Sequence, residues 1–265
     1  MQFEQLCLDT CVAARQVGAF IAKQAISFDP GVAEEKSINQ LVSYVDKQAE
    51  EQLVERLQKL LPAAGFITEE ETIKHQQNEF TWVIDPLDGT TNFVHGLPVY
   101  CISIGLLHEG KTVLGVIYDP SKAELFYACE GSAAMLNGHQ IYVSKTKRLN
   151  QSLLATGFPY YDFEWMESYL ETLRTFMKET RGMRRMGSAA IDLAYVACGK
   201  FDGFFEYGLN AWDVCAGAYI VSRAGGVVSG FDTNSNFLFD KEIIAASPAI
   251  HNQMQQVIAG HFARP

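Results

Sequence analysis

The run Trp82-Val-Ile-Asp-Pro-Leu-Asp-Gly-Thr-Thr-Asn-Phe-Val94 changes character at its middle. Trp82, Val83 and Ile84 read as the end of a buried strand. Asp85 and Asp88 then place two carboxylates on a tight turn, which Pro86 stiffens by fixing φ. Gly89 lets the backbone approach a ligand closely. Thr90, Thr91 and Asn92 are good N-cap residues, so a short helix is expected to begin among them. Its free N–H groups and positive dipole end would face whatever the carboxylates hold. Carboxylates suit hard cations and amides suit an anion, so the pattern fits a phosphate bridged by Mg²⁺. Two acids three residues apart also occur in plain surface turns, so other residues must decide.

The second informative stretch is Asn210-Ala-Trp-Asp-Val-Cys-Ala-Gly-Ala-Tyr219, closed by Gly225-Gly226. Asp213 falls in the first turn of an expected helix, where the dipole favours a carboxylate. Ala216, Gly217 and Ala218 let another element pack closely, and Gly225 or Gly226 is a natural stop.

Composition sets the class. At 265 residues the chain can bury about three quarters of its unfolded surface, so its core needs no disulfide or structural metal. The 48% hydrophobic and 20% charged content is that of an ordinary globular protein. A net charge of −10 argues against nucleic-acid backbone or an acidic membrane surface as the main partner. It leaves a phosphorylated small molecule open, because bound Mg²⁺ would invert the local field. Cys7, Cys11, Cys101, Cys129, Cys198 and Cys215 form no C-x-x-C, and most lie in apolar segments, so buried free thiols are expected. No apolar run approaches the ~18 residues of a membrane span. Met1-Gln-Phe-Glu-Gln-Leu6 lacks the basic start and apolar stretch of a secretory signal, so the cytoplasm is the expected location.

Along the chain, apolar spacing predicts a helix over residues 3–25, stopped by Phe28-Asp-Pro-Gly31. A second helix, capped by Asp46, runs to about Leu61. Gly65–Thr68 reads as a strand, followed by the acidic triplet Glu69-Glu-Glu71 and a polar loop over 72–80. Tyr100–His108, Thr112–Tyr118 and Leu125–Cys129 form an antiparallel meander, and Asn137-Gly138 marks a hairpin. Beyond the polar linker at Lys145, Lys147 and Arg148, strands alternate with helices. The strands are Leu153–Thr156, Arg184–Met186, Gly203–Tyr207, Gly226–Ser229 and Ile243–Ala246. The helices lie near 163–178, at 189–199, at 212–224 and from Pro248. A meander followed by such alternation predicts a layered, mixed α/β protein of the α+β kind with two sheets.

The string Asp85-Pro-Leu-Asp-Gly-Thr-Thr-Asn-Phe93 resembles the first signature of the inositol monophosphatase family, the lithium-sensitive, Mg²⁺-dependent phosphomonoesterases. The pattern W-D-x-x-A-G followed by A-G-G resembles that family's second signature, and the likeness runs from the first helix to about Ile258. It implies a five-layered αβαβα sandwich shared with fructose-1,6-bisphosphatase. The whole of 1–265 would be one module of two packed halves, 1–148 carrying the first metal motif and 149–265 the second.

The resemblance also implies roles. Asp85, Asp88 and Asp213 match the metal-binding aspartates. Leu87 matches a residue that ligates through its backbone carbonyl, so its side chain is expected to be replaceable. Glu69 matches the catalytic, metal-binding glutamate, although Thr68 stands where the family has glycine and Glu70 leaves the register open by one. Thr90 matches the threonine that orients the attacking water, and Asp46 the acid behind it. Here that acid follows Asn39-Gln-Leu-Val-Ser-Tyr-Val rather than the usual D-L-V-T-x-x. Gly89, Thr90 and Thr91 would bind phosphate beside Asp88 and Asp213. Glu206 and the Gly187-Ser188-Ala189 element match the pocket for a polyol ring. Arg184 and Arg185 precede that pocket and would meet a second phosphate or cover surface.

All-oxygen ligation selects Mg²⁺, or Mn²⁺ in its place, over zinc. The implied count is two cations, with a third left open. The expected reaction is metal-assisted in-line hydrolysis of inositol monophosphate or a similar small polyol phosphate, by a homodimer. Relatives of the fold that act on fructose-1,6-bisphosphate, histidinol phosphate, NADP(H) or 3′-phosphoadenosine phosphates supply the alternatives. A metal-responsive regulatory protein that keeps the fold is the non-enzymatic one.

Overall fold

The computed structural model describes residues 3–37, 40–159, 163–232 and 235–262. Asn39, the first residue of the run compared with the family pattern, lies outside them, as do Met1 and Gln2. Helix α1 spans Phe3–Ala25 and buries one stripe that includes Leu6, Cys11, Ala14, Val17 and Ile21. Strands β1 (Glu34–Ser37) and β2 (Gln40–Val42) form a small antiparallel ribbon that no apolar alternation announced. Helix α2 is Tyr44–Leu60, and its N-cap is Ser43, not Asp46. Asp46 sits three residues inside and accepts from the Ser43 N–H at 2.8 Å, the reciprocal half of a capping box. The expected cap was misplaced because an acid in the first turn and a true cap share the same composition.

The first sheet has the order β3-β4-β5-β6-β7-β8-β9. Its strands are β3 (Gly65–Thr68), β4 (Phe80–Asp88), β5 (Cys101–His108), β6 (Lys111–Asp119), β7 (Glu124–Cys129), β8 (Met135–Leu136) and β9 (His139–Gln140). The first two strands are parallel and the remaining pairs antiparallel. The tight turn expected at Asp85–Asp88 is instead strand. Asp85 faces Ser103 and Asp88 faces Cys101, so β4 carries one extra residue and bulges there. The bulge does what the turn was expected to do: it swings two carboxylates to the strand's end. Short helix α3 (Thr90–Val94) follows, capped by Gly89 at φ +96° rather than by a threonine or asparagine side chain.

The second sheet has the order β11-β10-β12-β14-β13. Its elements alternate as expected: β10 (Leu153–Thr156), α4 (Met166–Glu179), β11 (Gly182–Arg184), α5 (Ala189–Ala197), β12 (Gly203–Tyr207), α6 (Ala211–Arg223), β13 (Val227–Ser229), β14 (Glu242–Ala246) and α7 (Pro248–His261). Strand β10 lies parallel to both β11 and β12. Strand β11 ends at Arg184, earlier than expected, because Met186 is drawn away and gives its carbonyl to the Asn92 side chain at 2.9 Å.

The layers are αβαβα. Helices α1 and α2 cover the outer face of the first sheet, α5 and α6 lie between the sheets, and α4 and α7 cover the second. Three apolar clusters fill the spaces, the largest around α5 and α6. The described cysteines are free thiols, five of them buried, as expected. Helix α6 meets the first sheet at paired glycines, Gly105 opposite Gly115. A Cβ at Gly115 would stand 2.6 Å from the Ala216 carbonyl, and one at Gly105 would strike the Cys215 sulfur.

These contacts set the height of the helix that carries Asp213. Gly115→Ala should lower stability by about 1–3 kcal/mol through overpacking. Chemical denaturation checks this, and an unchanged midpoint would show that α6 is free to shift.

Candidate active site

Five strand ends and several helix starts meet at one cleft. Strands β3 and β4 of the first sheet, and β10, β11 and β12 of the second, all point their carboxyl ends toward it, where mixed sheets commonly place ligands. Helices α3, α5 and α6 begin at its wall, so their positive dipole ends face inward. The cleft holds about 870 Å³ of atom-free space, part of it open solvent.

Twelve of the residues singled out from sequence border this cleft: Glu69, Asp85, Leu87, Asp88, Gly89, Thr90, Thr91, Gly187, Ser188, Ala189, Glu206 and Asp213. Asp85, Asp88 and Asp213 offer carboxylate oxygens that lie within 4.8 Å of one another. Of the acidic triplet only Glu69 borders the cleft, and its N–H continues the β3–β4 ladder to the Ile84 carbonyl at 3.2 Å. Asp46 stands behind the wall, where its Oδ1 accepts the Thr90 hydroxyl at 2.8 Å. The same hydroxyl lies 3.0 Å from the Leu87 carbonyl. The two arginines part company. Arg185 borders the cleft, with its guanidinium 5.5 Å from the centre of the Phe158 ring. Arg184 is exposed and donates to the Met183 carbonyl at 2.9 Å, so it does not face the pocket.

Leu87 corrects an expectation. Its backbone position was read as making the side chain replaceable, yet the side chain is fully buried in the core beside Trp82 and Ile84. Truncating it would leave a cavity and lose about 2–5 kcal/mol.

Each acid is held by named donors. Asp85 Oδ1 accepts from the Leu87 N–H at 2.9 Å. Asp88 Oδ2 takes the Ser188 hydroxyl at 2.6 Å and the Ala190 N–H at 2.7 Å at the start of α5. Asp213 accepts from the Asn210 N–H at 2.6 Å. Burial nevertheless pushes the Asp85 carboxyl well above its ordinary range, and Glu69, Asp88 and Asp213 add to the effect. Burial lifts Asp88 to about 6 against the pull of Ser188, the α5 amides and Arg185. Glu206 is pushed up by burial first, then by Asp213 and Asp88, with Arg185 opposing.

The donor set fits a hard cation on chemical grounds: all oxygen, acidic, crowded, and without a His or Cys member. Crowded buried carboxylates hold protons unless a positive charge replaces them. Asp85, Asp88, Asp213, the Leu87 carbonyl and Glu69 are the residues that could hold it.

Two acids that matter here, Glu50 and Asp192, went unremarked in the sequence, and Asn92 does something other than the capping expected of it. Glu50 on α2 is fully buried and accepts from the N–H groups of Glu70 and Thr72, at 2.7 and 2.8 Å, and from the Thr72 hydroxyl at 2.7 Å. It pins the loop that carries Glu69. Its signal was an acid one helical turn after Asp46, on the face that buries Leu53 and Leu57. Asn92 donates to the carbonyls of Val99 and Met186, at 2.8 and 2.9 Å, tying the α3 region to the loop before α5. Asp192 is a buried acid in the otherwise apolar α5, and it too borders the cleft.

With this geometry in view, relatives are informative. The model of the inositol monophosphatase family matches residues 5–264. The chain is 42% identical over 251 residues to the putative Nus factor SuhB of Neisseria meningitidis serogroup B, covering 94% of this chain and 96% of that one. The crystal structure of the extragenic suppressor protein SuhB from Bartonella henselae superposes with a TM-score of 0.90 at 36% identity, covering 96% and 98% of the two chains. The inositol monophosphatase of Anabaena gives a TM-score of 0.85 at 34% identity, covering 98% and 97%. A match along almost the entire length, on an αβαβα frame with an acidic cleft between its sheets, has one consequence: this chain belongs to the inositol monophosphatase family.

Proposed function

We propose that this chain is a Mg²⁺-dependent phosphomonoesterase acting on inositol monophosphate or a similar small polyol phosphate. One observation carries the reading: the oxygens of Asp85, Asp88 and Asp213 gather within 4.8 Å, with Glu69 acting on Asp85 from the same wall. Asp85, Asp88, Asp213, Glu69 and the Leu87 carbonyl would hold the cations; Mn²⁺ suits the same oxygens. When bound, Mg²⁺ supplies Lewis-acid charge that offsets the acids, lowers the pKa of water and offsets charge on the phosphate oxygens.

The protein's own groups do the rest. The Thr90 hydroxyl commits its hydrogen to Asp46, which leaves its lone pairs to receive a hydrogen of the attacking water. Glu69 takes the proton that this water loses as its oxygen joins phosphorus. Amides of Gly89, Thr90 and Thr91 hold phosphate oxygens. The ester P–O bond breaks on the opposite side, and the alcohol oxygen recovers a proton from solvent in the open cleft. Glu206 and the Gly187–Ala189 element receive the alcohol. Homodimer assembly and a cytoplasmic location belong to the same proposal. Among the described residues no helix is long and apolar enough to cross a membrane.

A second reading rests on relatives named as Nus factors. In it the chain acts through a partner surface, with or without turnover. The charge of −10 disfavours nucleic-acid backbone as that partner. A role that survives Asp88→Asn in the cell would be of this kind.

The main reading is tested by phosphate release from a panel of monoesters, with and without Mg²⁺ and Li⁺. Turnover should need Mg²⁺ and fall with Li⁺. Asp88→Asn and Asp213→Asn should each lower kcat by about 100-fold or more while the folded circular-dichroism spectrum persists. Near-normal turnover in either would overturn the metal-ligand assignment.

A second outcome concerns pH. Asp88 is raised from 3.8 to about 6, so the folded state holds more protons than the unfolded state in that window. Its contribution therefore favours folding below 3.8 and is lost as pH rises through about 6. A cation held by Asp85, Asp88 and Asp213 would offset the charge that the lost protons leave. The stabilisation by Mg²⁺, read as a rise in melting temperature, should be small near about pH 4.5 and full above about pH 7, where a hundredfold excess over Kd contributes about 2.7 kcal/mol of free energy. A Mg²⁺ effect that shrinks with rising pH would refute the carboxylate cage.

A further inference from the structure

Residues 72–78 hold a group that the proposed hydrolysis does not use. Their sequence marks them only as a polar loop, yet they lie along the outer edge of β3. The Gln76 N–H reaches the Phe66 carbonyl at 3.0 Å in an antiparallel bridge, and the Asn78 side chain donates to the Ala63 carbonyl at 2.9 Å. Gly65 makes room for this, since a Cβ there would strike the Gln76 carbonyl. Backbone groups of alternate strand residues point the same way, so Thr68, like Phe66, turns its N–H and C=O outward. The His75 imidazole meets them. Its Nε2 lies 2.8 Å from the Thr68 carbonyl and 3.2 Å from the Thr68 N–H. With a hydrogen, that nitrogen donates to the carbonyl; without one, it accepts from the N–H, so the ring is bonded in either tautomer.

The same ring reaches a second element. Its centre lies 6.4 Å from that of the Trp212 ring, with 61° between the planes, an edge-to-face contact. Trp212 stands in the first turn of α6, one residue before Asp213, and its carbonyl accepts the Ser103 hydroxyl at 3.1 Å. Thr68 stands one residue before Glu69, whose N–H bonds inward to Ile84. The imidazole therefore joins the two residues that immediately precede two acids of the cleft. Those acids come from different layers: Glu69 follows β3 of the first sheet, and Asp213 lies on α6 between the sheets. Glu50 holds the far side of Glu69, at Glu70 and Thr72, and does so from α2. His75 supplies the tie toward α6. It is itself exposed, on the rim of a hollow that Trp212 and Asn210 also line, so it can be replaced without opening the core.

Resting on the phosphatase reading, we propose that His75 is a positioning residue, which sets Glu69 against Asp213 by tying the end of β3 to the start of α6. It touches neither ester nor cation. Its effect falls on how closely the acids are spaced before either arrives. Residues that hold metal ligands in place commonly contribute roughly 10- to 100-fold in metal affinity or activity. His75 acts through the residues that precede the ligands, one step further out, so about 3- to 10-fold is expected. A histidine that merely closed the edge of β3 would stabilise the fold with or without cation and leave cation affinity unchanged.

The test compares the full chain with His75→Ala, His75→Gln and His75→Phe. Glutamine keeps a donor near the place of Nε2 without the ring, and phenylalanine keeps the ring without the donor. Titration calorimetry with Mg²⁺ alone reads cation affinity apart from turnover. Kd for Mg²⁺ should rise about 3- to 10-fold in His75→Ala, and by less in the other two, each of which keeps one of the two contacts. Without cation, all three variants should melt within about 3 °C of the parent, as exposed substitutions do. On inositol 1-phosphate at one fixed Mg²⁺ concentration, kcat should fall in His75→Ala while KM stays within about two-fold. An unchanged Mg²⁺ Kd in His75→Ala, a larger drop in cation-free melting temperature, or a loss confined to KM would overturn the proposal. So would a His75→Gln variant equal to the parent, which would show the contact with Trp212 to be idle, or a parent that binds no Mg²⁺. If the parent binds Mg²⁺ but hydrolyses no ester, the phosphatase reading alone fails, and the calorimetric comparison still decides whether His75 positions the acids.

Discussion

Carboxylates that cannot share a dry pocket without a positive charge among them set the terms for the rest of this structure. Asp85 is 1% exposed, and burial together with Glu69, Asp88 and Asp213 drives its proton affinity up. Such a group has two ways out: it keeps a proton, or it exchanges the proton for a cation. The fold contributes to keeping the acids together rather than to relieving them. The β4 bulge sets Asp85 and Asp88 on the same side, while Ser188 and the α5 amides hold one oxygen of Asp88. Asp213 is fixed by its hydrogen bond to Asn210.

The supporting shell is built from satisfied buried polar groups, which are worth more inside a protein than on its surface. Asp46 illustrates the economy. One oxygen closes the capping box of α2, and the other orients the Thr90 hydroxyl. Glu50, one turn further along, holds the Glu69 loop by three hydrogen bonds. A single buried helix face therefore positions two separate parts of the cleft. Asn92 adds the link across the cleft, joining the α3 region to the loop that starts α5.

Packing between the layers has the same purpose. Helix α6 is close to the first sheet because Gly105 and Gly115 leave room for Cys215 and Ala216, and close to α5 because Gly217 leaves room for Leu193. Small residues on a helix are commonly read as weak packing. Here they remove side chains so that backbones can approach, and the approach fixes the height of Asp213 relative to Asp85.

Local patterns made much of this legible in advance. Apolar periodicity located α1 to the residue, and alternation located the meander, because each depends on which face of one element is buried. Asp85, Asp88 and Asp213 could be named because helix-start and strand-end chemistry marks them within a few residues. What the chain did not disclose locally is whatever depends on a partner remote in sequence. The bulge at Asp85–Asp88 exists only against β5, so it read as a turn. Leu87 read as replaceable because the core that surrounds its side chain comes from other elements. Arg184 and Arg185 are neighbours of one residue type, and only the end of β11 sends one outward and the other to the cleft. Composition and local order thus determined the elements and the leading acids. Tertiary structure decided which polar groups find donors, since a hydrogen bond between residues far apart in the chain has no local signature.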